Sequence, residues 1–468
     1  MRNPFRRFLD IREVEKDVEG KSEKSIHAKQ KALEKSIKEG SAASASTGLG
    51  DSYITPFADA LGAQPIHIGL LSSLSSLFSP LAQLGGSRLM MKKSRKKIVL
   101  NFVLLNAIMW LAIAGLAFFA AQKQNISYVY LLIVFYTLLG IFGGIAFPAW
   151  FSWMGDIVPE KDKGKYFSKR NVITGIVSLI AFLIGAFILN IFEKKDYLMT
   201  GFIIIFSLAF FFRTISFLYF RTQYSPKLKM HKSSYFSLWS FLKRFDNYGK
   251  FSIYLAFFNF AVMVASPFFA LYMLQELGYN KNYLLYTTIT ISSSVFYLIF
   301  TPFMGKISDK YGNTLLLVLA NICFVFTPLL WLFSKNPFYL VLIPQLVAGI
   351  ANAALTISTT NFTYDAVSQE KRGVCIAYTN LLIGIGSFSG ALLGGFLLST
   401  INFQTLNKFF FIFIFAAILR MIVALLFLPK IKEEKKVKRL PPVHVSLSHP
   451  FKTLHAEIGW FKAIFKQK

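Results

Sequence analysis

The sequence predicts an all-α integral membrane protein, with twelve transmembrane helices in two pseudo-symmetric six-helix halves. Three observations carry this. Of 468 residues, 54% are hydrophobic, 51 are Phe and only 16% are charged, a balance too apolar for a soluble chain of this length. The apolar residues gather into runs of ~20, enough to cross a ~30 Å hydrocarbon core. The chain also repeats itself: GDIVPEKDKG at 155–164 returns as YDAVSQEKRG at 364–373. In each copy an Asp (Asp156, Asp365) is followed by a cation (Lys163, Arg372) and then a Gly (Gly164, Gly373) at the same spacing, which points to internal duplication.

The elements follow in order. Residues 1–45 carry mixed charges, unlike the basic start and apolar core of a cleavable signal peptide, and are expected to form an N-terminal tail. Six spans are expected at about 46–64, 66–87, 98–121, 127–151, 169–191 and 199–221, making a first half over 46–221. The first is the most polar, since TGLGDSYITPFADALG holds two Asp, a Pro and three Gly. A cationic central segment, 222–249, separates the halves. Within it Leu238, Phe241, Leu242 and Phe245 are spaced for a short helix lying in the membrane interface. Six more spans, at about 250–274, 283–304, 314–334, 337–363, 374–399 and 407–428, make a second half over 250–430. In the basic tail, 431–468, Phe451, Leu454, Ile458, Phe461 and Phe465 recur at helical spacing, as in an amphipathic helix on a membrane surface or on a partner.

Charge gives orientation and removes alternatives. Lys and Arg concentrate in the loops after spans 2, 4, 6, 8 and 10, while the alternate loops are poor in them. Cationic loops stay cytoplasmic, so both termini are expected in the cytosol of a multi-pass cell-membrane protein. The formal net charge of +28 is spread over tails and loops without a continuous basic face, which argues against nucleic acid. Cys323 and Cys375 have neither disulfide spacing nor metal-ligand company. No phosphate-binding G-x-x-x-x-G-K-S/T loop, catalytic triad motif or metal pair occurs, so neither an ATP-driven pump nor an enzyme is expected, and no cofactor or metal.

Two further signals extend the duplication. Arg213 in span 6 and Arg420 in span 12 each lie about two turns before the end of their helix, 207 residues apart against 209 for the hook. An intramembrane Arg snorkels or finds a partner. Between spans 8 and 9, FMGKISDKYGN places Gly305, Asp309, Lys310 and Gly312 in the pattern G-x-x-x-D-R/K-x-G. With that loop, the hooks after spans 4 and 10, the long central segment and the six-plus-six layout, the chain from about 46 to 430 resembles prokaryotic-type members of the major facilitator superfamily (MFS).

The resemblance implies a transporter of small solutes in which one half rocks against the other around a midplane site. The fold normally works as a single chain. In the family, the loop motif helps hold the cytoplasmic side closed through ion pairs to neighbouring helix ends. Here the first-half copy, SRLMMKKSRKK, keeps cations but has Ser87, Met91 and Ser94 where Gly, Asp and Gly would stand. The second-half copy keeps Asp309 but has Asn313 and Thr314 at often basic positions. Gly305, Asp309, Lys310, Gly312, Asp156, Lys163, Asp365, Arg372, Arg213 and Arg420 are the candidates for a cytoplasmic latch, with solvated loop charges as the alternative for the loop members. Gly386, Gly390 and Gly394 in span 11, and Gly175, Ser178, Ala181 and Gly185 in span 5, form stripes suited to close helix contact, sliding or static. Span 5 has none of the Gly-Pro-Gly pattern found in many drug/proton antiporters of the family.

The resemblance places spans 1, 4, 7 and 10 around the central cavity, where Asp51, Tyr53, Trp150, Asn259, Gln345, Asn352 and Thr356 are the polar candidates. Asp51 could bind a proton, a sodium ion or a cationic group of the substrate, or make a structural hydrogen bond in a kinked helix. Trp150 serves equally as an interfacial anchor. Asp59 and Glu276 are expected at the outer mouth, solvated. Gln345, Asn352 and Thr356 share a helical face. A polar, aromatic cavity poor in charge suits a neutral or weakly cationic solute better than a phosphorylated anion. Three functions stay in view: an ion-coupled secondary transporter, an uncoupled facilitator, or a membrane sensor or scaffold that has kept the fold.

Overall fold

The computed structural model describes residues 23–90, 92–158, 163–226, 241, 246–367, 369–401 and 407–434, with the side chains of 23–28, 163–165, 168 and 369–374 left aside. The tail helix at 451–465 and the hook cations Lys163 and Arg372 lie outside that description, as does the interfacial helix except for Phe241.

Among the described residues every regular element is a helix. Span 1 runs Glu23–Leu49, passes through a 3-10 turn at Asp51–Tyr53 and continues as Ile54–Ala60. It is followed by Pro65–Leu89, Arg95–Gln122, Ser127–Ile157, Lys163–Glu193 and Leu198–Thr222, spans 2 to 6. Span 7 is interrupted: Asn247–Met263, Ser266–Leu271 and a π turn at Tyr272–Glu276. Pro267 at the restart cannot donate to the preceding turn, which accounts for the break. Span 8 is Tyr283–Tyr311, span 9 Asn313–Leu330, span 10 Pro337–Leu342 with Pro344–Ala366, span 11 Gln369–Thr400 and span 12 Lys408–Phe427. Eleven of the described spans are long and apolar enough by themselves to cross a membrane. Only span 1 is too polar to qualify.

Span 1 begins well before the expected position 46. Residues 29–45 read as a hydrophilic tail because their Lys, Glu and Ser lower the hydropathy, yet Ala32, Leu33, Ile37 and even Glu39 are buried against spans 5 and 6. From Gly40 to Gly50 the only large side chain is Leu49, and small residues let backbones approach closely. Gly48 lies against the backbone of Ser178, and Gly40 leaves the space that the Arg170 guanidinium fills.

The packing is duplicated as the sequence implied. In the first half span 1 packs on 5 and 6, span 2 on 4, and span 3 on 4 and 6. In the second, span 7 packs on 11 and 12, span 8 on 10, and span 9 on 10 and 12. Each pairing maps onto its counterpart six spans later. Between the halves, span 2 packs on 11 and span 5 on 8. Large apolar side chains such as Phe118, Phe187, Phe211 and Leu425 are half or more exposed, as befits surfaces solvated by lipid.

The core is not one mass. A large cluster joins both halves at the end opposite the cationic loops, with Tyr53, Phe57 and Phe206 from the first half and Phe268, Tyr272 and Phe413 from the second. Toward the basic end the halves have separate cores. One is built on Leu33, Ile98, Trp153 and Phe220, the other on Phe251, Leu316, Phe362 and Val423. The molecule is a V, closed at one end.

The Gly386, Gly390 and Gly394 stripe faces the carbonyls of Ala256, Phe260 and Val264, so spans 11 and 7 meet backbone to backbone. A Cβ at any of the three would collide with a carbonyl oxygen. Gly390→Leu should therefore cost ~1–3 kcal/mol as overpacking, read as a lower melting temperature of the purified protein. The control Gly175→Leu, where the space is open, should leave it unchanged.

Candidate functional site

Two recesses flank the cleft of the V. In the first half a small cavity of about 140 Å³ is lined by Glu39, Val103, Gly143, Phe147, Trp150 and Arg213. In the second, a cavity of about 350 Å³ is lined by residues of spans 7, 10 and 11, among them Tyr248, Asn259, Thr356, Thr360, Thr363 and Asn380. The two differ in chemistry. Among the described residues, the first is lined by acidic and basic side chains and the second by neither.

Around the first cavity lies a buried polar network. Glu39 pairs with Arg170 of span 5 at 3.3 Å and accepts a hydrogen bond from the Ser216 hydroxyl of span 6 at 3.0 Å. Arg170 also stacks on Trp150, 4.9 Å from the ring centre. Arg213 donates to Asn106 of span 3 at 2.8 Å and stands in the field of both Glu39 and Asp51. Asp51, half-buried at the bend of span 1, is within hydrogen-bond reach of Thr47 and Tyr136. Two carboxylates and two guanidiniums thus balance one another where an unpaired charge is costly.

The expected cavity residues divide. Trp150 lines the charged recess, and Asp51 reaches it only through the field of Arg213; Asn259 and Thr356 line the neutral one. Asn352 lies one turn from Thr356 on the same exposed face of span 10. Gln345 does not join them: it is buried beside the break at Ile343. Tyr53 is fully buried, its hydroxyl donating to the Phe182 carbonyl and lying 3.3 Å from Thr287 of span 8. It belongs to the joint between the halves. Further bonds cross that joint. Gln275 donates to Asp59 at 2.7 Å, so Asp59, expected to be solvated, has a partner; the Ile66 N–H donates to Ser399 at 3.0 Å; Gly69 and Gly395 touch backbone to backbone. Glu276 accepts from Asn407 at 2.7 Å.

The hooks are held within their own halves. Asp156 makes a 2.7 Å ion pair with Arg95, which also donates to the Ser152 carbonyl and hydroxyl at 2.8 and 3.0 Å. Asp365 accepts from Asn313 at 2.8 Å. Arg95 and Asn313 follow Ser94 and Gly312, the equivalent ends of the two loop copies, so one joint is built twice with different chemistry. Gly312 has φ of 96°, a conformation that favours Gly, while Gly305 has only open space beside it. Lys310 lies over the ring of Tyr311, and Asp309 also has a partner. Arg213 and Arg420 bond inside the helix bundles rather than to the hooks. Arg420 is buried and donates to the carbonyls of Phe324 and Val262 at 2.7 and 3.1 Å.

Sequence reasoning missed Glu39, Arg170, Ser216 and Arg95. The small-residue run from Gly40 to Gly50 was the available signal that the preceding turns were packed inside the protein.

The family model of the Major Facilitator Superfamily matches the chain twice, over residues 41–292 and 251–467. The chain belongs to the Major Facilitator Superfamily. This superfamily member is 22% identical to an MFS-type transporter of Methanocaldococcus jannaschii over 78% of its own length and 92% of that protein. It is 25% identical to the multidrug resistance protein MdtG of Proteus mirabilis, over 78% of this chain and 89% of MdtG. Among solved structures, the nucleoside transporter NupG superposes with a TM-score of 0.62 at 15% identity, covering 86% of this chain and 99% of NupG. The superfamily fold is the V described above, and membrane transport is the work of the family.

Glu39→Ala should leave Arg170 buried without its carboxylate and destabilise this superfamily member by ~3–5 kcal/mol. Glu39→Gln, which keeps a hydrogen-bond acceptor for Ser216, should cost less. Thermal unfolding of the two variants side by side reads the difference.

Proposed function

We propose that this protein is a secondary transporter that carries a small solute across the cell membrane by alternating access, coupled to a proton or sodium ion. The observation that carries the reading is the distribution of the core. One apolar cluster fuses the halves at one end, separate cores part them at the other, and a cavity lined by spans 7, 10 and 11 lies on the second half's side. If the cationic loops face the cytosol, as the positive-inside rule requires, the arrangement is the inward-open state with both termini cytoplasmic. Rocking about the midplane would break Tyr53 to Thr287 and Asp59 to Gln275 and bring the basic ends together. There the loop cations, Asp309 and the hooks would make their second set of contacts. The fold needs one chain for this cycle.

Coupling is assigned to the charged recess. Asp51 lies at the bend of span 1 and shares Arg213 electrostatically with Glu39, so a cation arriving at either carboxylate alters what holds span 1 to spans 5 and 6. Multidrug resistance, the role for which MdtG is named, would call for export; import of a nutrient would use the same machine. The direction follows from the gradient.

A thermal-shift screen at two pH values, with and without sodium, identifies a ligand, since binding to the native state raises the melting temperature. With that ligand in proteoliposomes, Asp51→Asn should abolish accumulation against a gradient while counterflow exchange persists. Accumulation by the variant equal to wild type would place the coupling elsewhere, and mere equilibration by the wild type itself would make the protein a facilitator. No ligand and no flux for a well-folded preparation would favour a sensor or scaffold.

A further inference from the structure

We propose that the cavity between spans 7, 10 and 11 is the recognition half of the transport site and takes an uncharged, hydroxyl-bearing ring compound. The inference rests on the reading of the protein as a transporter and adds the class of its solute.

The hydrogen-bond inventory of the wall comes first. Thr359 donates to the Leu355 carbonyl at 2.8 Å, Thr363 to the Thr359 carbonyl at 2.8 Å, and Asn259 to the Leu255 carbonyl at 2.8 Å. Each spends a donor on its own helix and keeps an oxygen with free lone pairs. The side chains of Thr356, Thr360 and Asn380 have no hydrogen-bond partner among the described residues, and all three line the cavity. The wall therefore offers a surplus of acceptors and a few uncommitted hydroxyl and amide groups. It suits a ligand that brings several O–H or N–H donors.

Charge decides among such ligands. Among the described residues, no Asp, Glu, Lys or Arg lines this cavity. The charged groups of the opposite half, Glu39, Arg170, Asp51 and Arg213, are engaged with one another. An ammonium or phosphate group entering here would shed water without meeting a counter-charge, a transfer that is strongly unfavourable. A sugar-like hydroxyl array loses water and regains hydrogen bonds one for one.

Shape completes the argument. Leu255, Leu355, Ile376 and Ile383 alternate with the polar groups, and the rings of Tyr248 and Tyr364 flank them. Such walls pack against the faces of a ring whose edges carry the polar groups. At about 350 Å³ the cavity falls in the range of small-ligand sites.

The test uses the full-length protein in lipid nanodiscs, because glycoside detergents would compete. Calorimetric titration compares 4-nitrophenyl glucoside, galactoside and riboside with 4-nitrophenyl phosphate, which keeps the ring and adds charge, and with tetraphenylphosphonium. At least one glycoside should bind tenfold or more tightly than either ion. Thr360→Val combined with Asn380→Leu should weaken it at least tenfold at an unchanged melting temperature, and Thr360→Ser alone should retain binding. Binding of an ion ahead of every glycoside, no glycoside binding, or wild-type affinity in the double variant would each overturn the assignment. Failure of the transporter reading looks different: a glycoside would bind and respond to the double variant, yet show no flux in proteoliposomes.

Discussion

Everything in this molecule depends on where its apolar side chains can find one another. A helix pair in lipid gains little from hydrophobicity alone, because acyl chains are as apolar as Leu. What holds the halves together is close packing and a few buried bonds. The cluster around Tyr53, Phe57, Phe268 and Tyr272 supplies both. It is assembled from the ends of spans in both halves, and small residues make the approach possible: Gly69 against Gly395, and Gly185 under the ring of Tyr53. Toward the basic end no common cluster forms, and each half closes on its own core. A joint at one end and a cleft at the other is a hinge geometry. The solvent-facing polar groups of spans 7, 10 and 11 are tolerable only because that cleft exists.

The halves share a skeleton and differ in what they bury. In the first half, Glu39, Asp51, Arg170 and Arg213 form a neutral set tied through spans 1, 5 and 6, with Asn106 adding span 3. In the second, Arg420 at the matching place bonds, among the described residues, to carbonyls alone, and the polar part of the cavity wall is Thr, Asn and Tyr. Removing any one charge from the first set strands another, whereas the second half carries no such interdependence. A conformational equilibrium is biased only by a ligand that interacts differently with its two states. The first half has the charges through which an ion could do this, and the second has the space and the hydrogen-bonding capacity for a solute.

The fold was legible because its determinants are periodic and repeated. Apolar runs, alternating loop charge and two hooks 209 residues apart are each visible without knowing any contact. The start of span 1 was not. Hydropathy measures a preference for lipid, and residues 29–45 are surrounded largely by protein, where Glu39 has Arg170 and Ser216 to bond. For the same reason Tyr53 read as a cavity residue. A hydroxyl in a span signals a polar partner, but only the packing reveals that the partners are Phe182 and Thr287 in the joint. Asn259 and Thr356 were found because they line a cavity on a span that the family pattern had already singled out. Gln345 lies on the same helix as Thr356, but near its start, where it is buried rather than open to the cavity.

The worn loop motif takes on a different meaning beside its contacts. In the first half the cations do the joining. Arg95 reaches the Pro226 carbonyl at 3.1 Å and Lys96 the Gln223 carbonyl at 2.8 Å, tying the start of span 3 to the segment after span 6. In the second half Asn313 and Thr314 replace those cations, and the tie runs the other way. Glu433, beyond span 12, accepts from the Thr314 N–H and hydroxyl at 2.8 and 2.7 Å, where the helix dipole of span 9 favours a carboxylate. Asn247 fixes the same segment by exchanging hydrogen bonds with Lys432 at 2.7 and 2.9 Å. The joint is therefore kept in both halves while the sign of the group that makes it is exchanged. A search for the motif alone would score each copy as decayed, although both loops remain fastened to the segment that follows the last span of their half.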